Sequence, residues 1–175
     1  MSESSEQPPE NSRENPRQAV QVQMRVERMY LKDASLESPG APSIFGEQFR
    51  PEMQVDINTT VNSLGDNRHE VVLSATVTAT RDEQRTAYLV EVHQAGIFVI
   101  EGVTGNPLRQ VLGIACPNML FPYIREAIDN LVVKAGFPAL QLAPVNFEAL
   151  YTQAVQQQQQ QQQQAAGSQD QQVKH

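Results

Sequence analysis

The chain has 175 residues, about the length of one domain, and its net charge of −7 disfavours nucleic acid as a partner, because nucleic-acid binders carry basic patches. Its single cysteine, Cys116, excludes an intrachain disulfide and a cysteine-rich zinc site. The sequence also lacks the N-terminal pattern of a secretory signal and any apolar run long enough to span a bilayer. These features predict a cytoplasmic protein without stable membrane insertion.

The two ends of the chain differ in composition from the middle. Residues 1–20 are mainly Ser, Glu, Pro, Asn and Arg, and residues 156–175 begin with a run of glutamines. Such segments bury too little apolar surface to offset the entropy of ordering, so both are predicted to be disordered tails of a domain over residues 21–155. The glutamine run either extends the last helix or remains disordered, and we assign it no function.

Alternation of apolar and polar residues predicts four half-buried strands. They cover residues 22–30, 53–58, 71–79 and 88–100. The turn residues Gly65, Asp66 and Asn67 and the charged loop 81–85 separate the last three strands. These three strands are therefore predicted to form an antiparallel meander.

After the last strand the period becomes helical. Residues 107–115 favour a short helix, and a long helix follows Pro117 until Gly136 and Pro138 end it. Its apolar positions are Leu120, Ile124, Ile128, Leu131, Val132 and Ala135. A last helix is predicted after Pro144, with Asn146 as its N-cap. Its apolar positions are Phe147, Leu150, Tyr151 and Val155.

These elements predict an α+β fold, a four-stranded antiparallel sheet with a long helix and a C-terminal helix. Two such helices cover little more than one face of four strands. The third and fourth strands nevertheless carry apolar or neutral residues on both faces. Apolar area left uncovered on a monomer marks an interface or a binding groove, so we expect the chain to self-associate.

The titratable residues do not form a recognisable active site. The three histidines, His69, His93 and His175, have no metal-ligand spacing with one another or with Cys116. Cys116 itself lies in an apolar stretch, as expected for a buried free cysteine. Asp82 and Glu83 are flanked by arginines and are typical of a solvated hairpin tip. We therefore expect no enzyme activity, no metal and no cofactor.

Aromatic residues at strand ends and in the irregular stretch 36–50 allow two interpretations. They are Tyr30, Phe45, Phe49 and Tyr88. Either they close the edge of the sheet against this stretch, or they line a trough that binds extended apolar peptides.

Four motifs resemble the SecB family of export chaperones. They are residues 28–33 (RMYLKD), 91–98 (EVHQAGIF), 116–126 (CPNMLFPYIRE) and 142–147 (LAPVNF). The similarity extends in order over about residues 22–155. It implies assembly as a dimer of dimers and an ATP-independent chaperone that binds unfolded precursors of secreted proteins. It also implies that these precursors are kept translocation-competent and delivered to the motor SecA.

The resemblance also implies a client-peptide groove on this chain. Tyr30, Phe49 and Tyr88 match positions of its deep aromatic part, and Val55 and Ile57 match its shallow apolar part. Phe49 stands where relatives often have tryptophan, and Tyr88 where they have phenylalanine. Both residues preserve apolar bulk, so we expect client binding to be retained.

Two further sets of residues follow from the same resemblance. The positions that receive the small, basic, zinc-bearing C-terminal segment of SecA are Asp33, Glu37, Leu89 and Glu91. The positions expected at the tetramer interface are Val90, Val92 and Gln94. Because side chains alternate along a strand, these two sets are expected on opposite faces of the sheet.

Two alternatives stay open. One is a SecB-like chaperone dedicated to a toxin–antitoxin partner, which a panel of unfolded precursors would distinguish. The other is a small α+β enzyme or ligand carrier that uses a pocket beneath Tyr30 and Tyr88. A co-purifying compact ligand or a functional monomer would favour the latter.

Overall fold

The computed structural model describes residues 22–46, 48–81 and 85–170. The strands are β1 (Gln23–Glu37), β2 (Glu52–Gly65), β3 (Arg68–Thr80) and β4 (Thr86–Glu101). The helices are α1 (Gly105–Gln110), α2 (Cys116–Lys134) and α3 (Phe147–Asp170). A 3-10 turn, Ser43–Gly46, lies between β1 and β2, and a π-helical turn, Val111–Ala115, joins α1 to α2. The predicted short helix over 107–115 therefore leads directly into the long one.

The four strands form one antiparallel sheet in the order β1-β4-β3-β2. The predicted meander of β2, β3 and β4 is confirmed, and β1 pairs with the far side of β4. Asp66 and Asn67 have φ angles of 50° and 57°. Two consecutive left-handed residues match the twist of a tight hairpin, which explains why β2 returns at once as β3.

Strand β1 is longer than its sequence pattern predicts, reaching Glu37 rather than Tyr30. Its register with β4 shifts between Val26 and Arg28 and again between Leu31 and Asp33. Each such bulge adds one residue and reverses the alternation of side chains. A strict period of two therefore fails along β1 although the pairing continues.

Helix α2 covers one face of the central strands. On this helix-covered face the apolar residues of β3, from Val71 to Ala79, are almost fully buried. They pack against the buried stripe of α2, which consists of Leu120, Ile124, Ile128 and Val132. The other face, here called the open face, carries Glu70, Ser74, Thr76, Leu89, Glu91 and His93.

Helix α3 begins where the sequence predicts and extends beyond the expected domain boundary. The backbone N–H of Ala149 donates to the side-chain oxygen of Asn146 at 3.0 Å, which confirms Asn146 as the N-cap. The helix continues through the glutamine run to Asp170, so the run extends the last helix. Residues 1–21 and 171–175 and the loop tip with Asp82 and Glu83 lie outside the described residues.

Candidate binding surfaces on the two faces of the sheet

Four aromatic rings meet at one end of the helix-covered face. Phe137 lies at the centre of this aromatic cluster, with its ring centroid 4.8 Å from that of Tyr88 and 5.3 Å from those of Phe45 and Phe49. Tyr88 is 1% exposed and Phe45 is 50% exposed, so the cluster has a buried base and an open rim. Burial is the main cause that raises the pKa of Tyr88, which keeps its hydroxyl neutral.

A hydrogen bond and a buried side chain hold the irregular stretch after β1 against this cluster. The hydroxyl of Ser38 donates to the carbonyl of Ala87 at 2.9 Å, which fastens the stretch to the start of β4. Ile44, in the 3-10 turn, is buried in the core and directs Phe45 towards Phe137. In this stretch Phe49 stacks on Tyr88 of the sheet with ring centroids 6.4 Å apart, whereas Phe45 contacts Phe137 and keeps half of its surface in solvent.

An apolar groove runs along β2, the edge strand next to the aromatic cluster. Val55 is 41% exposed, and Met53 and Val61 on the same face of the strand are similarly exposed. Helix α2 lies over β3 and β4, so these side chains on β2 extend beyond its cover. Val55 and Ile57 line a cavity of about 330 Å³ with Phe121, Leu142, Ala143, Pro144, Val145 and Leu150.

The groove continues between β2 and α3 as a cavity of about 540 Å³. Ile57 and Leu150 line both cavities. The walls of the larger cavity also include Val61 of β2 and Gln157 of α3. Its ionisable lining residues are Arg109 and Tyr151, which offer no carboxylate for acid–base work. This β2 groove is suited to burying apolar segments.

Polar contacts hold the wall of the β2 groove in place. The Asp129 carboxylate accepts the backbone N–H groups of Leu140 and Gln141, each at 3.0 Å. This fixes the segment between α2 and α3 against α2. Phe147 then packs edge-on to Phe121 with ring centroids 5.8 Å apart, which anchors the start of α3.

Tyr30 does not join the other predicted groove residues. It lies on the open face, where its hydroxyl donates to the carboxylate of Glu70. Lys32 and Asn62 donate to the same carboxylate at 2.7 and 2.9 Å. These hydrogen bonds, that from Lys32 first, lower the pKa of Glu70 to about 2. The placement of Tyr30 beside Phe49 and Tyr88 is therefore corrected, because the sheet separates them.

The open face does bring together the four residues expected to receive the SecA segment. Glu37 is the register partner of Leu89, and Asp33 is the partner of His93, two residues beyond Glu91. Directly paired residues project from the same face of a sheet, so all four side chains share this surface. Asp33 and Glu37 are exposed, and within the described residues neither forms a salt bridge.

At the opposite end of the open face two carboxylates, those of Glu27 and Glu70, are paired with cations. Arg68 donates to both oxygens of Glu27 at 2.8 and 3.0 Å, and Lys32 neutralises Glu70. Asp33 and Glu37, towards the other end, have no such cation within the described residues.

The three residues expected at a tetramer interface lie on the helix-covered face. Val90 and Val92 are 0% exposed and Gln94 is also buried, within the core of a single protomer. The expectation that Val90 and Val92 contact another protomer is corrected, because these side chains pack inside their own subunit. They lie on the face of the sheet opposite to Leu89 and Glu91, as the sequence predicts.

Exposed apolar residues on α2 are a surface that the sequence did not identify. Met119, Tyr123 and Val133 are all exposed, and their spacing places them on one side of the helix. The sequence signal for them is weak, because the buried stripe of the same helix dominates its apolar pattern.

Comparison with known proteins decides the family. The family model described as "Preprotein translocase subunit SecB" matches residues 17–159. This chain belongs to the SecB family. The Protein-export protein SecB of Marinobacter nauticus is 53% identical over 135 residues, which are 77% of this chain and 81% of the relative. That of Hahella chejuensis is 49% identical over 142 residues, which are 81% of this chain and 87% of the relative.

The resemblance inferred from the motifs is thus confirmed, and so is the expected function as a protein-export chaperone. SecB proteins are chaperones rather than enzymes, which agrees with the expectation of no enzyme activity. In the described part of the chain no three His, Cys, Asp or Glu side chains are grouped to hold a metal ion. Nor does any helix there have the length and apolar character needed to cross a membrane.

A solved structure supports the fold. It is a SecB-like chaperone of Mycobacterium tuberculosis in complex with an antitoxin peptide, with a TM-score of 0.59 and 16% identity. The match covers 70% of this chain and 90% of that chain. At this identity the likeness concerns the fold alone. The alternative of a chaperone dedicated to an antitoxin is not favoured, because relatives of about half identical sequence are export proteins.

Proposed function

We propose that this SecB protein binds unfolded precursor segments in the aromatic cluster and the β2 groove, in the cytoplasm and without ATP. The observation that carries the proposal is the apolar surface that the protein's own helices leave exposed. It comprises Phe45 at the rim of the aromatic cluster and Met53 and Val55 along β2. Burial of apolar area contributes about 25 cal/mol per Å² whatever the sequence of the client. Because this free energy does not depend on the sequence of the client, many different clients are expected to bind.

The edge position of β2 supports a preference for unfolded clients. An edge strand presents backbone N–H and C=O groups to an added strand, and an extended peptide uses them without regard to its side chains. A folded client exposes neither a free backbone nor a long apolar segment. Selection for the unfolded state therefore requires no energy source.

We assign the delivery step to the open face. Asp33, Glu37, Leu89 and Glu91 are proposed to receive the basic, zinc-bearing C-terminal segment of SecA. Carboxylates that lack a cationic partner attract such a segment, and a leucine among them offers apolar contact. Because the sheet separates this surface from the β2 groove, a client and SecA are able to bind together.

Assembly as a dimer of dimers is proposed to bury the outer side of α2. Met119, Tyr123 and Val133 offer apolar contacts there, flanking Glu126 and Asn130 on the same side of the helix. The arrangement leaves the β2 groove and the open face accessible.

The decisive experiment measures whether the purified protein slows refolding of a denatured precursor without ATP and passes it to SecA. Val55→Ser is expected to weaken binding of the precursor about fivefold, because about 1 kcal/mol of apolar burial is lost. Val22→Ser removes the same side chain from a comparably exposed position outside the groove and serves as the control. Equal binding by both variants would reject the groove.

The docking surface is tested separately with Glu91→Lys. This change is expected to abolish binding of SecA and to leave precursor binding intact. Glu101→Lys makes the same charge change on the same strand but at the opposite end of β4, and should retain SecA binding. Unchanged SecA affinity of Glu91→Lys in a titration would show that the docking site lies elsewhere.

A further inference from the structure

Three polar side chains form a hydrogen-bonded row across the open face. The hydroxyl of Ser74 lies 3.0 Å from Nδ1 of His93, and Nε2 of His93 lies 2.8 Å from Oε1 of Glu91. Ser74 is the register partner of His93 on the neighbouring strand β3. Backbone pairing therefore fixes the histidine between its two partners.

The chemistry of imidazole determines which group donates each hydrogen bond in this row. A neutral histidine has one nitrogen that donates and one that accepts. A carboxylate only accepts, so Nε2 must carry the hydrogen that is donated to Glu91. Nδ1 is then the acceptor for the Ser74 hydroxyl, which thereby selects the tautomer that holds Glu91.

The charges around His93 are mainly negative. Across the pairing with β1 lies Asp33, and along β4 lies Glu91, whereas Ser74 and Thr76 on β3 are uncharged. Lys32, next to Asp33, is bound to Glu70. A proton on His93 therefore places a positive charge between two carboxylates of the proposed docking surface.

We propose that His93 is a positioning residue of the docking surface, which holds the Glu91 carboxylate for a cationic partner segment when neutral and offsets its charge when protonated. This inference rests on the proposed docking role of Glu91. Docking should then weaken when His93 takes up a proton. The client surface lies on the other face of the sheet and should not follow this change.

Two substitutions of His93 separate positioning from titration. In His93→Gln, the amide nitrogen donates to Glu91 and the amide oxygen accepts from Ser74, but the side chain does not titrate. His93→Ala removes both hydrogen bonds. The probe is a synthetic peptide of the SecA C-terminal segment loaded with Zn²⁺, and its binding is titrated at about pH 8 and about pH 6. Any proton uptake by the peptide itself is common to all variants.

At about pH 8, His93→Ala is expected to bind the peptide about three- to tenfold more weakly than the wild type, and His93→Gln within about twofold. Towards about pH 6 the wild type should lose about two- to fivefold more affinity than His93→Gln. Equal pH profiles of wild type and His93→Gln, or wild-type affinity of His93→Ala, would overturn the inference. Glu91→Gln tests the underlying assignment: if it binds like the wild type at both pH values, the docking proposal itself fails.

Discussion

The burial of Val90 changes what a charge at this position should do. If Val90 lay at the interface between protomers, Val90→Lys would release folded dimers. In the structure Val90 is 0% exposed and pairs in register with Val77 and Leu36 beneath α2. We therefore expect this substitution to unfold the protomer rather than to separate protomers.

The magnitude follows from the site. An unpaired charge in a core costs several kcal/mol, and forcing a longer side chain into close packing costs roughly 1–3 kcal/mol. The flexible lysine side chain reduces this cost when its charged end reaches towards solvent. A loss of about 3–5 kcal/mol in the free energy of unfolding is expected, a large share of the roughly 5–15 kcal/mol of a typical domain. Val90→Ala, which only removes apolar volume, should lose about 2–3 kcal/mol.

Urea unfolding followed by circular dichroism, with light scattering at the same protein concentration, measures both effects. Val133→Lys is the matched control, because Val133 is 54% exposed on the outer side of α2. It should keep the native spectrum and reduce the molecular mass. The reasoning would be refuted if Val90→Lys kept the wild-type unfolding midpoint while its mass fell to that of a dimer.

Two further predictions concern the open face and the seating of α3. Because Lys32 and its neighbours lower the pKa of Glu70 to about 2 from 4.5, its ionised form contributes stability above pH 4.5 that is lost as the pH falls towards 2. In acid titrations, Glu70→Gln should make the free energy of unfolding less dependent on pH across that interval. An unchanged slope of this free energy against pH would contradict the prediction. A Cβ atom on Gly113 would lie 2.5 Å from the Tyr151 ring, so Gly113→Ala should cost roughly 1–3 kcal/mol and weaken precursor binding. In a Tyr151→Ala background the same change should be nearly neutral, and equal costs in both backgrounds would exclude the contact as the cause.

Local chemistry made much of the sheet predictable. Asp66 and Asn67 tolerate left-handed backbone, so the hairpin between β2 and β3 is encoded by its own turn. Along β3 burial alternates residue by residue from Leu73 to Thr80, whereas Glu70 and Val72 on the open face are buried as well. The N-cap at Asn146 is equally local, since its side chain bonds a backbone group three residues away.

What the sequence could not decide is which face α2 covers. The period of two places Val90 and Glu91 on opposite sides of the sheet. It does not show which of these residues lies under a helix and which lies on a surface that binds a partner. The bulges in β1 reverse the alternation, so Tyr30 lies on the face opposite to Tyr88. Phe137 follows the end of a helix and belongs to no periodic pattern, so only the folded chain shows it at the centre of the aromatic cluster.

Strand β4 contributes alternate residues to the two proposed surfaces. Tyr88 faces the aromatic cluster, whereas the next residue, Leu89, lies on the open face with Glu91. Because neighbouring side chains point to opposite sides, a change at either position alters one surface and leaves the other nearly intact. In the proposed function, a client held at the rim of the aromatic cluster therefore does not obstruct a segment docked at Leu89. The proposed delivery to SecA without ATP requires this simultaneous access, since the client must still be bound when SecA arrives.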